Sequence, residues 1–421
     1  MAIFPLLNTR LPGIFCLLAV TWGHCQAPLR PPRVDVTDRD TVGYSFVNQD
    51  KNEIENADVL RPFFQKLHEQ RINGGRRISI VHIGDSHILG NFLTREVRTR
   101  LQAAFGDAGR GLIFPYKIAG TNGPQDYLIE TNCRWQGSNC QRDRSETTPH
   151  GLTGFNLETT APDGQLGIRL RDTATSDTRL FTKLTVFHRN EPTAFDLDIR
   201  DEANGQTAHL VIENELASTY FFDRPTDQAI IRNRRTDPAQ KSICLDGICL
   251  ENELSGVLYH TIGVNGGRFA DFSRAKYFTR QVGELFPDLI ILSFGTNEAQ
   301  DPKLSPDAFY QQIGRLVSQL SLDAPGAKIM LTTPADSYWR GKSFNPKMAE
   351  ISATIRKYAL DNGLALWDLY NIGGGEQSAK NWKSNGLMSA DSVHYSKLGY
   401  AMQGKLLYLS LVKGYNALTG D

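Results

Sequence analysis

Hydrophobic and polar positions change rhythm twice along the chain. Leu60, Phe63, Phe64 and Leu67 recur at helical spacing and predict a helix. Arg77-Ile78-Ser79-Ile80-Val81-His82-Ile83 is a short apolar run of the kind that fills a buried strand. Leu93, Val97, Leu101 and Phe105 return to helical spacing directly after it. The two together predict a βα unit joined by Gly84-Asp85-Ser86-His87. Between about residues 120 and 256 the texture becomes short alternating runs, at 180–188, 195–200 and 208–213. Gly, Pro, Asp and Asn turns separate them and no helical stripe intervenes, which predicts an antiparallel sandwich or barrel.

The βα rhythm resumes at Val257. Strands are expected at 257–262, 289–294, 328–333 and 364–367. Between them lie helices carrying Phe309, Ile313, Leu316 and Leu320, then Met348, Ile351 and Ile355 with Gly363 as a stop. A last helix runs from about Ser396 with Leu398, Met402 and Leu406. Alternating strands and helices imply an α/β fold with a parallel, doubly wound sheet, interrupted by an inserted all-β domain. The chain divides into residues 1–27, 28–55, 56–119, 120–256 and 257–421. No internal repeat stands out.

Composition narrows the class. The 421 residues carry 46 Lys and Arg against 46 Asp and Glu, and 40% are hydrophobic. A core is therefore well supplied, while zero net charge argues against an electrostatic nucleic-acid binder. Arg10 precedes an apolar stretch at 11–23, long enough for a signal peptide and too short to span a bilayer. Cleavage after Cys25 or after Ala27 would leave a Pro-rich, charged linker at 28–40. No later stretch is long enough to cross a membrane, so a periplasmic or extracellular protein is expected. Trp22, Gly23 and His24 make a poor approach to a lipidated Cys25, and no lipid anchor is expected there.

Four cysteines remain beyond the signal. Cys244-Leu245-Asp246-Gly247-Ile248-Cys249 reads as a tight hairpin around an Asp-Gly turn, which would set Cys244 opposite Cys249 for a disulfide. Cys133 and Cys140 would close a second local loop. A four-thiolate zinc site is the rival reading; an oxidising compartment favours disulfides, and neither spacing is a usual zinc knuckle.

Sites in open α/β sheets lie at the carboxyl ends of the strands. Gly84-Asp85-Ser86-His87 follows the first strand, Gly263-Val264-Asn265-Gly266-Gly267 the second and Gly295-Thr296-Asn297-Glu298 the third. Asp391-Ser392-Val393-His394 comes just before the last helix. A serine hydroxyl is a poor nucleophile until a base takes its proton, and histidine is the base suited to neutral pH. Asp391, three residues before His394, is near enough to accept from the imidazole and fix its tautomer. The backbone N–H groups of Ser86 and Gly266, with the Asn297 amide, are candidate donors to an oxyanion. The choice of Gly266 over Gly267 rests on spacing. Asp85 is expected to cap or brace its turn, and His87 to hydrogen-bond locally. His82, His188, His209 and His260 have no partner motif and are read as structural.

Gly84-Asp85-Ser86, Gly266, Gly295-Thr296-Asn297 and Asp391-x-x-His394 resemble, in order, the four blocks of the SGNH (GDSL) hydrolase family. The resemblance covers the whole α/β portion and implies a three-layer hydrolase domain that needs no metal or organic cofactor. Glu298 departs from the family's usual Asp. A β-domain between the first and second blocks resembles the bacterial peptidoglycan O-acetylesterases. That likeness implies an O-acetylated glycan as substrate and a jelly-roll-like insert similar to a carbohydrate-binding module. Acetylated plant or algal polysaccharide is the alternative substrate, and a non-catalytic carbohydrate-binding wall protein the alternative function. Tyr338, Trp339 and Arg340, after the strand at 328–333, together with Trp382, are candidate sugar contacts. Gly373-Gly374-Gly375 lacks the Lys-Ser/Thr of a phosphate loop, so no nucleotide is expected.

Overall fold

The computed structural model describes residues 33–35, 43–171 and 180–419. The predicted signal, with Cys16 and Cys25, and most of the linker lie outside the described residues. Among those described, no helix is long and apolar enough to cross a membrane.

A six-stranded mixed sheet forms the centre. Its strands are β1 (Ile54–Glu55), β2 (Arg77–Gly84), β3 (Gly256–Gly263), β4 (Leu289–Ser293), β5 (Lys328–Thr332) and β6 (Ala365–Trp367). Their order across the sheet is β1-β6-β5-β4-β2-β3. β1 pairs antiparallel with β6, and all other pairings are parallel. The parallel strands are buried on both faces, and their alternation feeds two cores. Ile78, Ile80, Val257, Tyr259, Leu289, Ile291 and Met330 face helices Arg61–Asn73, Phe92–Phe105 and Lys397–Thr419. Val81, Ile83, Leu258, Ile290, Leu292 and Leu331 face Phe269–Ser273, Phe278–Gly283, Pro306–Asp323 and Lys347–Asp361.

Local chemistry explains the helix ends. Ser305 caps Pro306–Asp323 by accepting from Ala308 N at 3.2 Å, with proline at the first turn. Leu398, expected on the buried stripe of the last helix, is 61% exposed, because it lies on the outer face of a first turn whose Gly399 and Tyr400 are the buried positions.

Between β2 and β3 the chain builds two antiparallel sheets. One has five strands in the order Gln206–Thr207, Asp196–Asp201, Gln228–Arg234, Gln165–Leu170, Tyr127–Thr131. The other runs His209–Glu213, Ala217–Thr226, Phe181–His188, Ile243–Glu251, Phe155–Thr159, Gln136–Asn139, with Gly111–Ile113 added on Ile243–Glu251. Leu112 thus pairs with Cys249, so the chain enters and leaves this insert on adjacent strands. Ile168, Ile199 and Ile231 of one sheet share a core with Leu157, Leu184 and Leu245 of the other. That core runs on into the Val81 face of the central sheet.

The disulfides expected from the sequence are absent: Cys133, Cys140, Cys244 and Cys249 are all free thiols. Asp246-Gly247 is no turn. Cys244 and Cys249 lie along one strand, with a register shift between Leu245 and Gly247. Five residues of strand separate their Cα atoms by about 16 Å, far beyond disulfide reach. Asp246 is buried there instead, accepting from Gln281 Nε2 at 3.1 Å. Cys133 follows a strand of the five-stranded sheet and Cys140 a strand of the other, so they close no common loop.

One buried ionic cluster ties insert to helix. Asp126 accepts from Arg98 of Phe92–Phe105 at 2.7 Å and from Arg110 at 3.0 Å. Burial alone would raise the Asp126 carboxyl; the Arg110 and Arg98 guanidiniums outweigh it and hold it well below the usual carboxylate range. Asp126→Ala strands two buried cations, so we expect a loss of roughly 3–5 kcal/mol at pH 7, read by urea denaturation. A carboxyl depressed on folding stabilises above its unfolded pKa, so the deficit should narrow as pH falls below about 4.

Candidate active site

Among the parallel strands the order is β3-β2-β4-β5-β6, so the chain adds β3 on one side of β2 and then crosses to add β4 on the other, which reverses the strand order between β2 and β4. That switch point is where open sheets leave a crevice at their carboxyl edge. β2 ends at Gly84, which pairs with Gly263 of β3 and with Ser293 of β4. A helix, Ser86–Leu89, starts two residues later, capped by Asp85 Oδ1 accepting from His87 N at 2.9 Å.

Two glycines permit this. A Cβ on Gly84 would fall 2.5 Å from Ser293 O, and one on Gly263 would fall 2.6 Å from Leu89 Cα. The short helix therefore packs directly on strand backbone.

Ser86 Oγ lies 2.8 Å from His394 Nε2, and His394 Nδ1 lies 2.7 Å from Asp391 Oδ2. The proton order along this chain follows from the carboxylate: Asp391 accepts from Nδ1–H, which leaves Nε2 free to accept from the serine. Asp391 Oδ1 accepts from Ser389 Oγ (2.7 Å), Val393 N (3.0 Å) and His394 N (2.9 Å). Partial burial pushes the Asp391 carboxyl up, but these hydrogen bonds, led by Ser389, bring it well below the usual range. It stays ionised beside the imidazole. His394 and Asp391 side chains are 38% and 52% exposed, so the pair opens to solvent.

Asn297, after β4, links the blocks. Its Nδ2 donates to Asp85 Oδ2 and to Gly267 O, both at 3.1 Å. Both amide hydrogens are thereby engaged, whereas the backbone N–H groups of Ser86 and Gly266 have no acceptor among the described residues. Gly266 adopts φ +73°. Glu298 is fully buried and braces the same corner, accepting from Phe269 N (3.0 Å) and Gly295 N (3.1 Å). Burial raises Glu298 and Asp85 to about 7 each, with hydrogen bonds to their carboxylates opposing the rise.

Three further histidines make no hydrogen bond to this chain of groups, although the His87 ring lies 5.1 Å from that of His394. His87 Nδ1 pairs with Tyr400 Oη at 3.0 Å, and burial lowers its pKa to about 3, keeping it neutral. His82 is enclosed between Tyr259 Oη (2.7 Å) and Ser293 Oγ (2.6 Å). His260 is buried in β3. Among the described residues, no group of three or more His, Cys, Asp or Glu is placed to hold a metal ion.

Of the aromatic candidates, Trp382 is corrected. It is fully buried, donates Nε1–H to Gly373 O at 2.8 Å and packs edge-on against Phe46 and Tyr395. Sequence alone could not separate a loop tryptophan from one on the inner face of the short helix Ala379–Ser384. Tyr338 is partly buried under the Lys383 ammonium, and its N–H donates to Ser392 O at 3.1 Å. That bond sets Trp339 and the exposed Arg340, stacked at 5.3 Å, beside the Asp391 turn. Sequence reasoning missed Ser389; a hydroxyl two residues before an acidic side chain in a tight turn was the available signal.

Residues 248–402 match the GDSL-like lipase/acylhydrolase family model. The chain carries a GDSL-like acylhydrolase domain. The match contains Gly266, Asn297, Asp391 and His394, while Ser86 reaches the same edge through the β2–β3 pairing. An acylhydrolase of this kind is a carboxylic ester hydrolase. No curated protein matches the chain. Among solved structures, a peptidoglycan O-acetylesterase is similar with a TM-score of 0.71 at 23% identity, over 86% of this chain and 99% of that one. A family two carbohydrate esterase from Cellvibrio japonicus gives a TM-score of 0.30 at 12% identity, over 69% and 99%. An acetylxylan esterase mutant from Geobacillus stearothermophilus gives 0.27 at 18%, over 39% and 73%.

If close backbone packing sets the acylhydrolase's serine, Gly263→Ala should destabilise the fold by roughly 1–3 kcal/mol and slow sulfonyl-fluoride labelling of Ser86, read by intact mass. Gly167→Ala is the control, because a Cβ there meets open space; it should stay within about 0.5 kcal/mol of the parent.

Proposed function

We propose that the protein is an exported serine esterase that removes O-acetyl groups from a glycan, peptidoglycan being the substrate favoured. The observation that carries this reading is the Ser86–His394–Asp391 chain at 2.8 and 2.7 Å on the crevice edge of the sheet. A fold shared over 99% of a peptidoglycan O-acetylesterase supports the choice of glycan. The β-insert is read as a glycan-facing module of the same enzyme.

The reaction follows from the donors and acceptors present. Ser86 Oγ attacks the acetyl carbonyl carbon while His394 Nε2 takes its proton, and Asp391 stabilises the imidazolium. The carbonyl oxygen becomes an oxyanion held by the open N–H groups of Ser86 and Gly266. Asn297 joins by exchanging one of its present acceptors for that oxygen. Each such donor is typically worth roughly 3–4 kcal/mol in the transition state. Collapse expels the sugar hydroxyl, which takes the proton from His394 and leaves acetyl-Ser86. Water, deprotonated by His394, then attacks the acetyl carbon and acetate departs. No step calls on a metal or organic cofactor.

Ser86→Ala should abolish acetate release while the circular dichroism and urea midpoint remain those of the parent; a well-folded Ser86→Ala that still turns over would sink the mechanism. Acetate released from O-acetylated peptidoglycan much faster than from acetylated xylan would support a wall-remodelling enzyme. The reverse preference would move the same mechanism to polysaccharide foraging, and an acetylated acceptor in place of free acetate would make the enzyme a transferase.

A further inference from the structure

Two loops of the insert close on the turn that carries Gly266. On one side Asn265 Nδ2 donates to Thr121 Oγ1 (3.0 Å) and Asn122 Oδ1 (2.8 Å). On the other, the chain beyond strand Gln136–Asn139 passes over Gly266. A Cβ placed on Gly266 would lie 3.2 Å from Gln141 Nε2 and 3.4 Å from its Cδ. The Gln141 carboxamide is thus in contact range of an open oxyanion donor.

The backbone around Gln141 is held firmly. Arg274, at the end of helix Phe269–Ser273, donates to the carbonyls of Cys140 (3.4 Å), Asp143 (3.1 Å) and Ser145 (2.7 Å). Its guanidinium is fixed in turn by Asp271 at 2.7 Å. Cys140 N donates to Gly154 O at 2.9 Å, and Arg142 N to Asn139 Oδ1 at 3.0 Å. The Gln141 side chain itself is half-buried and has no hydrogen-bond partner among the described residues. With the backbone already pinned, a ligand has only the Gln141 rotamers left to order. A carboxamide offers two donors and an acceptor without charge. It suits the hydroxyls of a sugar ring and does not oppose a negative charge forming beside it.

We propose that Gln141 is a specificity residue that hydrogen-bonds the sugar ring bearing the scissile acetyl group, so that insert and hydrolase domain build one glycan site. The proposal rests on the esterase reading of Ser86. It is tested with Gln141→Ala and the volume-keeping Gln141→Leu in the full protein. Acetate release is measured from O-acetylated peptidoglycan and acetylated xylan, and 4-nitrophenyl acetate hydrolysis in parallel. For whichever glycan the parent deacetylates, both variants should raise KM and lower the ratio of glycan to small-ester kcat/KM about tenfold. An unchanged ratio overturns the proposal, whether both activities persist or both fall together. A parent that cleaves 4-nitrophenyl acetate through Ser86 yet releases acetate from neither glycan overturns the glycan reading, and this proposal with it.

Discussion

The turn after the first parallel strand packs against its two neighbouring strands at distances that leave no room for a side chain on either glycine. Gly84 lies against Ser293 O of β4, and Gly263 against the Leu89 backbone. Because these contacts are backbone to backbone, they cannot be relieved by a rotamer change. They locate Ser86 relative to the sheet, whereas His394 is located by a different element, the turn before the last helix. The 2.8 Å separation between Ser86 and His394 is therefore the meeting of two independently built parts. The precision of that meeting comes from the rigid sheet beneath the two side chains.

Three acidic side chains near this corner have distinct tasks set by their surroundings. Asp391 is partly solvated and collects hydrogen bonds from Ser389, Val393 and His394, so it remains a carboxylate able to balance an imidazolium. Asp85 and Glu298 are buried, and their carboxyls are raised to about 7. Neither reaches His394 in a hydrogen bond among the described residues; each spends its oxygens on backbone or amide N–H groups. They hold Asn297 and the Gly295 turn in place, and charge balance is left to the exposed acid. Glu298 performs this bracing through the starts of two elements, Phe269 and Gly295.

Much of this was legible in the sequence because the signals were local. Continuous apolar runs and period-3.6 stripes marked the strands and helices of the α/β part, and the strand-ending motifs converge because parallel strands share a carboxyl edge. Where tertiary context decides, the sequence misled. Asp246-Gly247 carries the local signature of a hairpin, yet the chain continues straight through. Asp246 is instead buried within that strand, where it accepts from Gln281 of a distant helix. Trp382 lay on a helix too short to show its period. Gln141 carried no signal at all, since its proximity to Gly266 depends on Arg274 gripping a loop from another part of the chain.

The insert illustrates why an uninterrupted motif search sees only part of the enzyme. The family match begins at residue 248, inside the last strand of the insert, and the serine lies before the insert begins. Gly111–Ile113 and Ile243–Glu251 run side by side, so an excursion of well over a hundred residues returns to its starting point. Geometrically the central sheet scarcely registers the interruption. Energetically it does, because the insert's core is continuous with the Val81 face and its Asp126 is bound to Arg98 of the helix that follows Ser86. A module joined this way cannot swing on a linker as a detached binding domain would. Its loops, including the one bearing Gln141, are held in register with the open N–H groups of Ser86 and Gly266, so insert and central sheet present one continuous edge around Ser86.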